Sequence, residues 1–125
     1  MRILLVDDSI AIRRVQKVML ADTGLFSEIA EAADGIQALQ KVATEKYDVI
    51  LLDWHMPALS GIETLRRLKA NPATASIPVI MVTAESQNQK ILEAIKAGAA
   101  NYIIKPFDEE ILVETLGPFK KSEPP

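Results

Sequence analysis

Four apolar runs in this sequence each end in a residue whose side chain could take part in chemistry. The runs occupy residues 3–6, 49–52, 79–82 and 102–104, and the residues that follow them are Asp7 with Asp8, Asp53, Thr83 and Lys105. If the runs are parallel strands, their carboxyl ends lie at one edge of a sheet, where ligands bind, and these side chains converge there. Taken singly, each of these residues also fits an ordinary turn or helix cap.

Three carboxylates in one place need a compensating positive charge. Two carboxylates about 4 Å apart repel by about 4 kcal/mol at an effective dielectric near 20. The oxygens of Asp7, Asp8 and Asp53, in a chain without cysteine, favour Mg²⁺ or the similar ion Mn²⁺. A carboxylate beside such an ion can act as a nucleophile toward phosphorus, and Thr83 and Lys105 would stabilise the phosphoryl oxygens. The pattern therefore predicts a phosphoacceptor site.

The elements that must position these residues alternate between strand and helix. A weaker fifth strand is predicted at residues 28–32, and segments with helical spacing of apolar residues separate the strands. Five strands alternating with five helices predict an α/β fold, with a parallel sheet covered on both faces.

Helix boundaries are predicted from capping residues. The first helix has three candidate caps, which are Asp7, Asp8 and Ser9. The predicted caps of the second to fifth helices are Asp34, Ser60, Ser86 and Asp108, with capping boxes at Ser60 and Ser86. Gly98 is expected to end the fourth helix, and Gly117 with Pro118 the fifth.

Apolar spacing also predicts which faces of the first two helices are apolar. In the first helix Ile12, Val15 and Met19 share one face. In the second helix the residues expected to point inward are Ile36, Leu39 and Val42.

Size and composition are those of one globular domain. The chain has 125 residues, 49% of them hydrophobic, with 14 basic and 17 acidic residues and a formal net charge of −3. The slight excess of acidic residues argues against direct nucleic-acid binding. No apolar run is long enough for membrane insertion. The lack of cysteine excludes disulfides and fits the cytoplasm. We predict one domain over residues 1–118 and a disordered tail or linker start over residues 119–125.

Four segments together resemble the receiver domain of two-component response regulators, over residues 2 to about 116. The segments are LLVDDS, DVILLDWHMPALSG, IPVIMVTAES and AGAANYIIKPF. The resemblance implies a flavodoxin-like, doubly wound sheet with strand order 2-1-3-4-5. It makes Asp53 the phosphorylated aspartate, Asp7 and Asp8 the acidic pair that holds Mg²⁺, and the backbone carbonyl of His55 a further metal ligand.

The same resemblance assigns roles in switching. It makes Thr83 the switch hydroxyl, Lys105 the counter-ion of the phosphate, in a cis bond to Pro106, and Tyr102 the switch aromatic. The expected partner face comprises Lys90, Ile91 and Tyr102. The residues expected to tune the lifetime of the acyl phosphate are His55 and Glu85.

Receiver domains accept phosphate from a histidine kinase, a phosphotransfer protein or a small phosphodonor, and catalyse that transfer themselves without being enzymes on another substrate. The resemblance therefore implies a response regulator whose face on helix 4 and strand 5 controls a protein partner. We expect a stand-alone signalling protein of the chemotaxis type. The alternative is a receiver domain of a longer response regulator or hybrid kinase.

Two other classes share parts of this pattern. Mg²⁺-dependent phosphohydrolases with an aspartate nucleophile have a second Asp two residues after the first. This chain has His55 at that position. An FMN-binding flavodoxin would need a first loop rich in Ser, Thr and Gly, whereas Asp7 and Asp8 repel phosphate unless a metal is bound. Turnover of a phosphate ester, or a yellow chromophore, would favour these alternatives.

Overall fold

The computed structural model describes residues 1–84 and 88–119, and for Asn88 the backbone only. Within these residues five strands alternate with five helices, followed by one short 3-10 turn. The strands are β1 (Arg2–Val6), β2 (Glu28–Ala32), β3 (Val49–Asp53), β4 (Val79–Thr83) and β5 (Asn101–Ile104). The helices are α1 (Ile10–Asp22), α2 (Gly35–Thr44), α3 (Gly61–Ala70), α4 (Asn88–Lys96) and α5 (Glu109–Leu116), and the 3-10 turn is Gly117–Phe119.

The five strands are all parallel and lie in the order β2-β1-β3-β4-β5. This order confirms the predicted doubly wound fold. The three central strands are buried on both faces because helices cover both sides of the sheet. Alternate residues along each strand feed two separate cores: Leu4, Ile50 and Met81 lie in one, and Leu5 and Leu51 in the other.

The register of the sheet brings the strand ends to one edge. Val6 pairs with Leu52, Asp53 with Val82, and Thr83 with Ile104. Asp53 and Thr83 are thus the last residues of β3 and β4, one residue further than the apolar runs predicted. Backbone pairing extends one residue beyond the ends of β3 and β5. The N–H of Trp54 donates to the carbonyl of Val82, and the N–H of Lys105 donates to the carbonyl of Thr83.

Four of the described helices have a side chain that caps their N-terminus. The hydroxyl of Ser9 accepts the N–H of Ile12 at 3.2 Å, so Ser9, and neither preceding aspartate, caps α1. The predicted caps of α2, α3 and α5 are confirmed as Asp34, Ser60 and Asp108. The capping box predicted at Ser86 lies outside the described residues.

The predicted apolar faces of α1 and α2 are partly wrong. In α1, Met19 packs against the core, but Ile12 is 38% and Val15 60% exposed, and the buried positions are Gln16 and Leu20. In α2, Ile36 is 47% exposed, whereas the predicted inward residues Leu39 and Val42 do pack against the core. Both helices carry apolar residues around more than one face, so spacing alone did not identify the face that meets the sheet.

Two further sequence features take the expected form. Gly98 has φ of +106° directly after the last turn of α4, which favours glycine there. The Lys105–Pro106 peptide bond is cis.

Among the described residues there is no helix with the length and apolar character needed to cross a bilayer.

Candidate functional site

Three carboxylates meet at the carboxyl edge of the sheet. Oxygen atoms of Asp7, Asp8 and Asp53 all lie within 4.8 Å of one another. Asp7 is 1% and Asp53 7% exposed, whereas Asp8 is exposed to solvent. The structure therefore brings together the three acidic residues that the sequence pattern grouped, with one open side at Asp8.

Lys105, which follows β5, supplies a positive charge to two of these carboxylates. Its Nζ lies 3.0 Å from Asp7 Oδ2 and 3.1 Å from Asp53 Oδ1. Burial alone lowers the pKa of the Lys105 ammonium, but the hydrogen bonds and negative charges of Asp7 and Asp53 outweigh burial and raise the pKa above its ordinary value. Lys105 is therefore a fixed positive charge that bridges two of the three carboxylates.

One ammonium does not balance three carboxylates. Burial, and then the charge of Asp7, raise the pKa of the Asp53 carboxyl, even though Lys105 acts in the opposite direction. Ionisation of the Asp53 carboxyl is therefore less favourable than in water, and a second cation nearby would stabilise the ionised form. Hard oxygen ligands at this spacing suit Mg²⁺, which binds few protein carboxylates and completes its shell with water or phosphate oxygens.

Local hydrogen bonds decide which atoms of the acidic pair are already engaged. Since Ser9 provides the cap of α1, neither aspartate is needed for it. Asp7 accepts the backbone N–H of Ser9 with Oδ1, at 2.9 Å, and contacts Lys105 with Oδ2. Asp8 instead faces an open cleft, whose other lining residues are Trp54, His55, Met56, Pro57 and Ser60.

The loop after Asp53 turns back tightly on the strand. The N–H of Gly61 donates to the carbonyl of Trp54 at 2.9 Å. A Cβ atom at Gly61 would lie 2.1 Å from the carbonyl oxygen of Asp53 and 2.8 Å from Cα of Trp54. Ala58, in the same loop, has φ of +67°. The close approach of Gly61 thus holds the backbone of Asp53 and Trp54 in place.

Thr83 and Tyr102 occupy adjacent strands beside this site. Thr83 is 3% exposed, and Tyr102 is half-buried and packs against the core that contains Leu4, Ile50 and Met81. Tyr102 pairs with Met81, two residues before Thr83, so the two side chains belong to the same face of the sheet. The register makes Thr83 and Tyr102 diagonal neighbours on β4 and β5, close enough for one side chain to respond to a movement of the other.

The residues predicted for the lifetime and for the partner face are spread around this edge. His55 is exposed in the cleft, and Glu85 lies outside the described residues. Lys90 and Ile91 are both half-buried in α4. The Lys90 ammonium lies 5.7 Å from the ring centroid of Trp54, which connects the predicted partner face to the residue next to Asp53.

Two supporting contacts were not predicted from the sequence. One is the contact between Lys90 and Trp54. The other is made by Arg13, which donates to the backbone carbonyl of Asp7 and to the carboxylate of Glu31. The spacing of Arg13 and Lys17, one helical turn apart, is a signal that both could meet one acidic residue, but that residue could be identified only once β2 was known to pair with β1.

Comparisons with known proteins agree on one family. The profile of the family described as response regulator receiver domain matches residues 3–117. The chemotaxis protein CheY of Pseudomonas aeruginosa is 41% identical over 116 residues, which are 93% of this chain and 93% of that protein. Residues 3–117 contain every described helix and strand except Arg2, the first residue of β1, and the last two residues of the 3-10 turn.

Solved structures with the same fold include two informative ones. The chemotaxis protein CheY4 of Vibrio cholerae has a TM-score of 0.87 and 36% identity, over 94% of this chain and 97% of that chain. The receiver domain of the sensor histidine kinase PA1611 of P. aeruginosa, solved with a magnesium ion coordinated in its active site cleft, has a TM-score of 0.85 and 31% identity. That match covers 97% of this chain and 98% of the other.

Proposed function

The chain belongs to the response regulator receiver domain family, and we therefore propose that Asp53 is the residue that accepts the phosphoryl group. The observation that carries the proposal is the placement of Asp53: its carboxylate ends a buried central strand, contacts Lys105 at 3.1 Å and lies beside Asp7 and Asp8. The phosphodonor is a histidine kinase or a phosphotransfer protein, as expected for a homologue of CheY.

The acidic cluster is suited to a divalent cation. Asp7, Asp8 and Asp53 would hold Mg²⁺, or Mn²⁺, with the backbone carbonyl of His55 as a further ligand. When bound, the ion supplies positive charge next to the phosphoryl oxygens. The raised pKa of the Asp53 carboxyl supports this assignment, because it reflects a site with more negative charge than Lys105 balances.

The protein groups then perform an in-line transfer. An oxygen of Asp53 forms the new bond to phosphorus as the bond between phosphorus and the donor nitrogen breaks, which leaves an acyl phosphate on the chain. Lys105 and the hydroxyl of Thr83 contact the phosphoryl oxygens, while His55 and Glu85 tune how fast water removes the group. The domain thus promotes its own modification and acts as a signalling protein in the cytoplasm, without a separate substrate.

Trp54, the single tryptophan, reports directly on this site. We expect its emission to change when Mg²⁺ is added, because the ring follows Asp53 in the chain, and to change again with beryllofluoride, which imitates a phosphoryl group. Asp53→Asn should lose the second change. A wild-type protein that gives neither an emission change nor heat in a calorimetric titration with Mg²⁺ would contradict the proposal.

Thr83 and Tyr102 are proposed to couple the phosphoryl group to α4. When the hydroxyl of Thr83 moves toward the phosphoryl group it leaves space that the ring of Tyr102 fills, which shifts the balance between two states of the α4 region. The face made of Lys90, Ile91 and Tyr102 would then bind a protein target in one state only.

Tyr102→Ala tests this coupling. In the wild type, beryllofluoride with Mg²⁺ is expected to alter hydrogen exchange in α4, and Tyr102→Ala should lose most of that response while still binding beryllofluoride, because the moving group is gone. Tyr102→Phe keeps the ring and should respond like the wild type. An alanine variant whose α4 responds fully would rule the coupling out.

The output can take two forms. The similarity to CheY and CheY4 favours a stand-alone chemotaxis-type regulator. The similarity to the receiver of a sensor histidine kinase supports the alternative, a receiver within a longer response regulator or hybrid kinase. We assign the domain to residues 1–118, with a tail or linker start over residues 119–125. The length of the encoded reading frame distinguishes the two forms.

A further inference from the structure

The backbone of Asp7 is held by a hydrogen bond at each of its two polar groups. Its N–H, in the peptide group that precedes Asp7, donates to the carbonyl of Ala32, at the end of β2, at 3.2 Å. Its carbonyl oxygen, in the peptide group that joins Asp7 to Asp8, accepts a hydrogen bond from Nη1 of Arg13, in α1, at 2.5 Å. The direction of the Asp7–Asp8 peptide sets the directions in which the two carboxylates leave the backbone.

Arg13 is itself anchored by a second contact. Its Nε donates to Oε1 of Glu31 at 3.2 Å, and its side chain is only 13% exposed. A guanidinium has several donors in one rigid plane, so it can bond the carboxylate of Glu31 and the carbonyl of Asp7 at the same time. Arg13 therefore ties the loop after β1 to the edge strand β2.

We propose that Arg13 is a positioning residue for the metal site: it orients the Asp7–Asp8 peptide so that both carboxylates face the same cation. This inference rests on the proposed function, since it assumes that the acidic cluster binds Mg²⁺. Arg13 touches neither the phosphoryl group nor the ion in this role. It acts through the backbone of Asp7.

The positioning role and a purely electrostatic role predict opposite results. Arg13 carries a positive charge close to a site for a cation, so removing the charge alone should strengthen Mg²⁺ binding. Removing the group that orients two ligands should weaken Mg²⁺ binding, by about 10-fold or more, as is usual for residues that orient metal ligands. The sign of the change in the dissociation constant therefore decides between the two.

Lys17 provides a matched control. Its ammonium contacts the other oxygen of the same carboxylate, Glu31 Oε2, at 3.4 Å, and the side chain is 50% exposed. Lys17→Ala thus removes a positive charge from the same acidic partner, whereas the hydrogen bond to Asp7 remains. Its dissociation constant for Mg²⁺ should stay within about two-fold of the wild type, because an exposed charge is screened by salt.

The experiment is a calorimetric titration of the full chain with Mg²⁺, without any phosphodonor, for the wild type, Arg13→Ala, Arg13→Lys and Lys17→Ala. We expect weaker binding in both Arg13 variants, since lysine keeps the charge but cannot make both contacts. If circular dichroism shows that Arg13→Ala is unfolded, Arg13→Lys carries the test. Wild-type binding with equal or tighter binding in the folded Arg13 variants overturns this inference alone. No binding by the wild type overturns the proposed metal site and, with it, the inference.

Discussion

Asp53→Asn is expected to abolish the incorporation of phosphate from acetyl phosphate in the presence of Mg²⁺. Asparagine has nearly the same shape as aspartate, but its amide lacks the anionic oxygen that must form the bond to phosphorus. Asp7 and Asp8 remain in this variant, so any labelling by another carboxylate of the cluster would still be seen. The measurement is intact mass after incubation with the phosphodonor.

Loss of labelling in Asp53→Asn has to be separated from loss of folding. Burial and the charge of Asp7 raise the pKa of Asp53, so the folded state favours the protonated carboxyl more than the unfolded chain does. Without metal, this group therefore lowers stability above the ordinary carboxyl pKa of about 4, and its penalty vanishes as the pH falls below that value. Asp53→Asn should thus be at least as stable as the wild type at pH 7 without metal.

Asp22→Asn is the matched control for labelling. Asp22 is an exposed carboxylate at the end of α1, away from the cluster. This variant should incorporate phosphate as the wild type does. Full labelling of Asp53→Asn would place the acceptor elsewhere and contradict the assignment.

Gly61→Ala is expected to destabilise the protein strongly, by about 3 kcal/mol or more. The added methyl group would lie 2.1 Å from the carbonyl oxygen of Asp53, which is backbone in a central strand and cannot move aside as a flexible side chain can. Either the loop after β3 separates from the strand, or the strand shifts at the acceptor. Chemical unfolding measures the loss of stability, and the phosphorylation rate of the folded fraction should fall as well.

Gly117→Ala is the control for this substitution. Gly117 follows α5 with φ of −52°, and a Cβ there would meet no atom within 4 Å. The expected change is within about 1 kcal/mol, because the lower entropy of the unfolded chain is offset by the restriction that Pro118 places on the preceding residue. A Gly61→Ala protein as stable as Gly117→Ala would show that the loop does not depend on the close approach.

The centre of the sheet could be predicted because its three strands have a clear sequence pattern. The runs that become β1, β3 and β4 are continuous and apolar, as strands covered on both faces must be. Parallel strands place their carboxyl ends at one edge, so the meeting of Asp7, Asp8 and Asp53 followed from the parallel arrangement and needed no side-chain detail. The residue types predicted a metal-dependent phosphoacceptor site, whereas the individual roles, with Asp53 as the acceptor, came from family resemblance.

The helices were predicted less well because their faces are ambiguous. α1 has apolar residues around most of its circumference, and the position that the sheet buries is polar: Gln16 is 4% exposed, and its Oε1 has no hydrogen-bond partner among the described residues. A buried amide oxygen without a partner is costly, so a sequence pattern does not favour it. The structure selects the face that carries Leu20, and Gln16 is buried with it.

The supporting contacts of the site could not be read from the sequence for a different reason. Arg13 reaches both Asp7 and Glu31 at once only because β2 pairs with β1 and places Glu31 beside α1. Lys90 reaches Trp54 only because the first turn of α4 lies against the loop after β3. The contacts of Arg13 with Glu31 and of Lys90 with Trp54 each join separate elements of the fold, so the identity of the partner depends on the tertiary structure.

Locating the phosphoryl group on the protein tests the role of Asp53 directly. The wild-type protein is incubated with acetyl phosphate and Mg²⁺, the acyl phosphate is reduced with borohydride, and peptides are sequenced by mass spectrometry. We predict one converted residue, Asp53, and no conversion when Mg²⁺ is chelated. Conversion at Asp7 or Asp8, or labelling that does not depend on a divalent cation, would contradict the claim that this carboxylate cluster prepares Asp53 to receive phosphate.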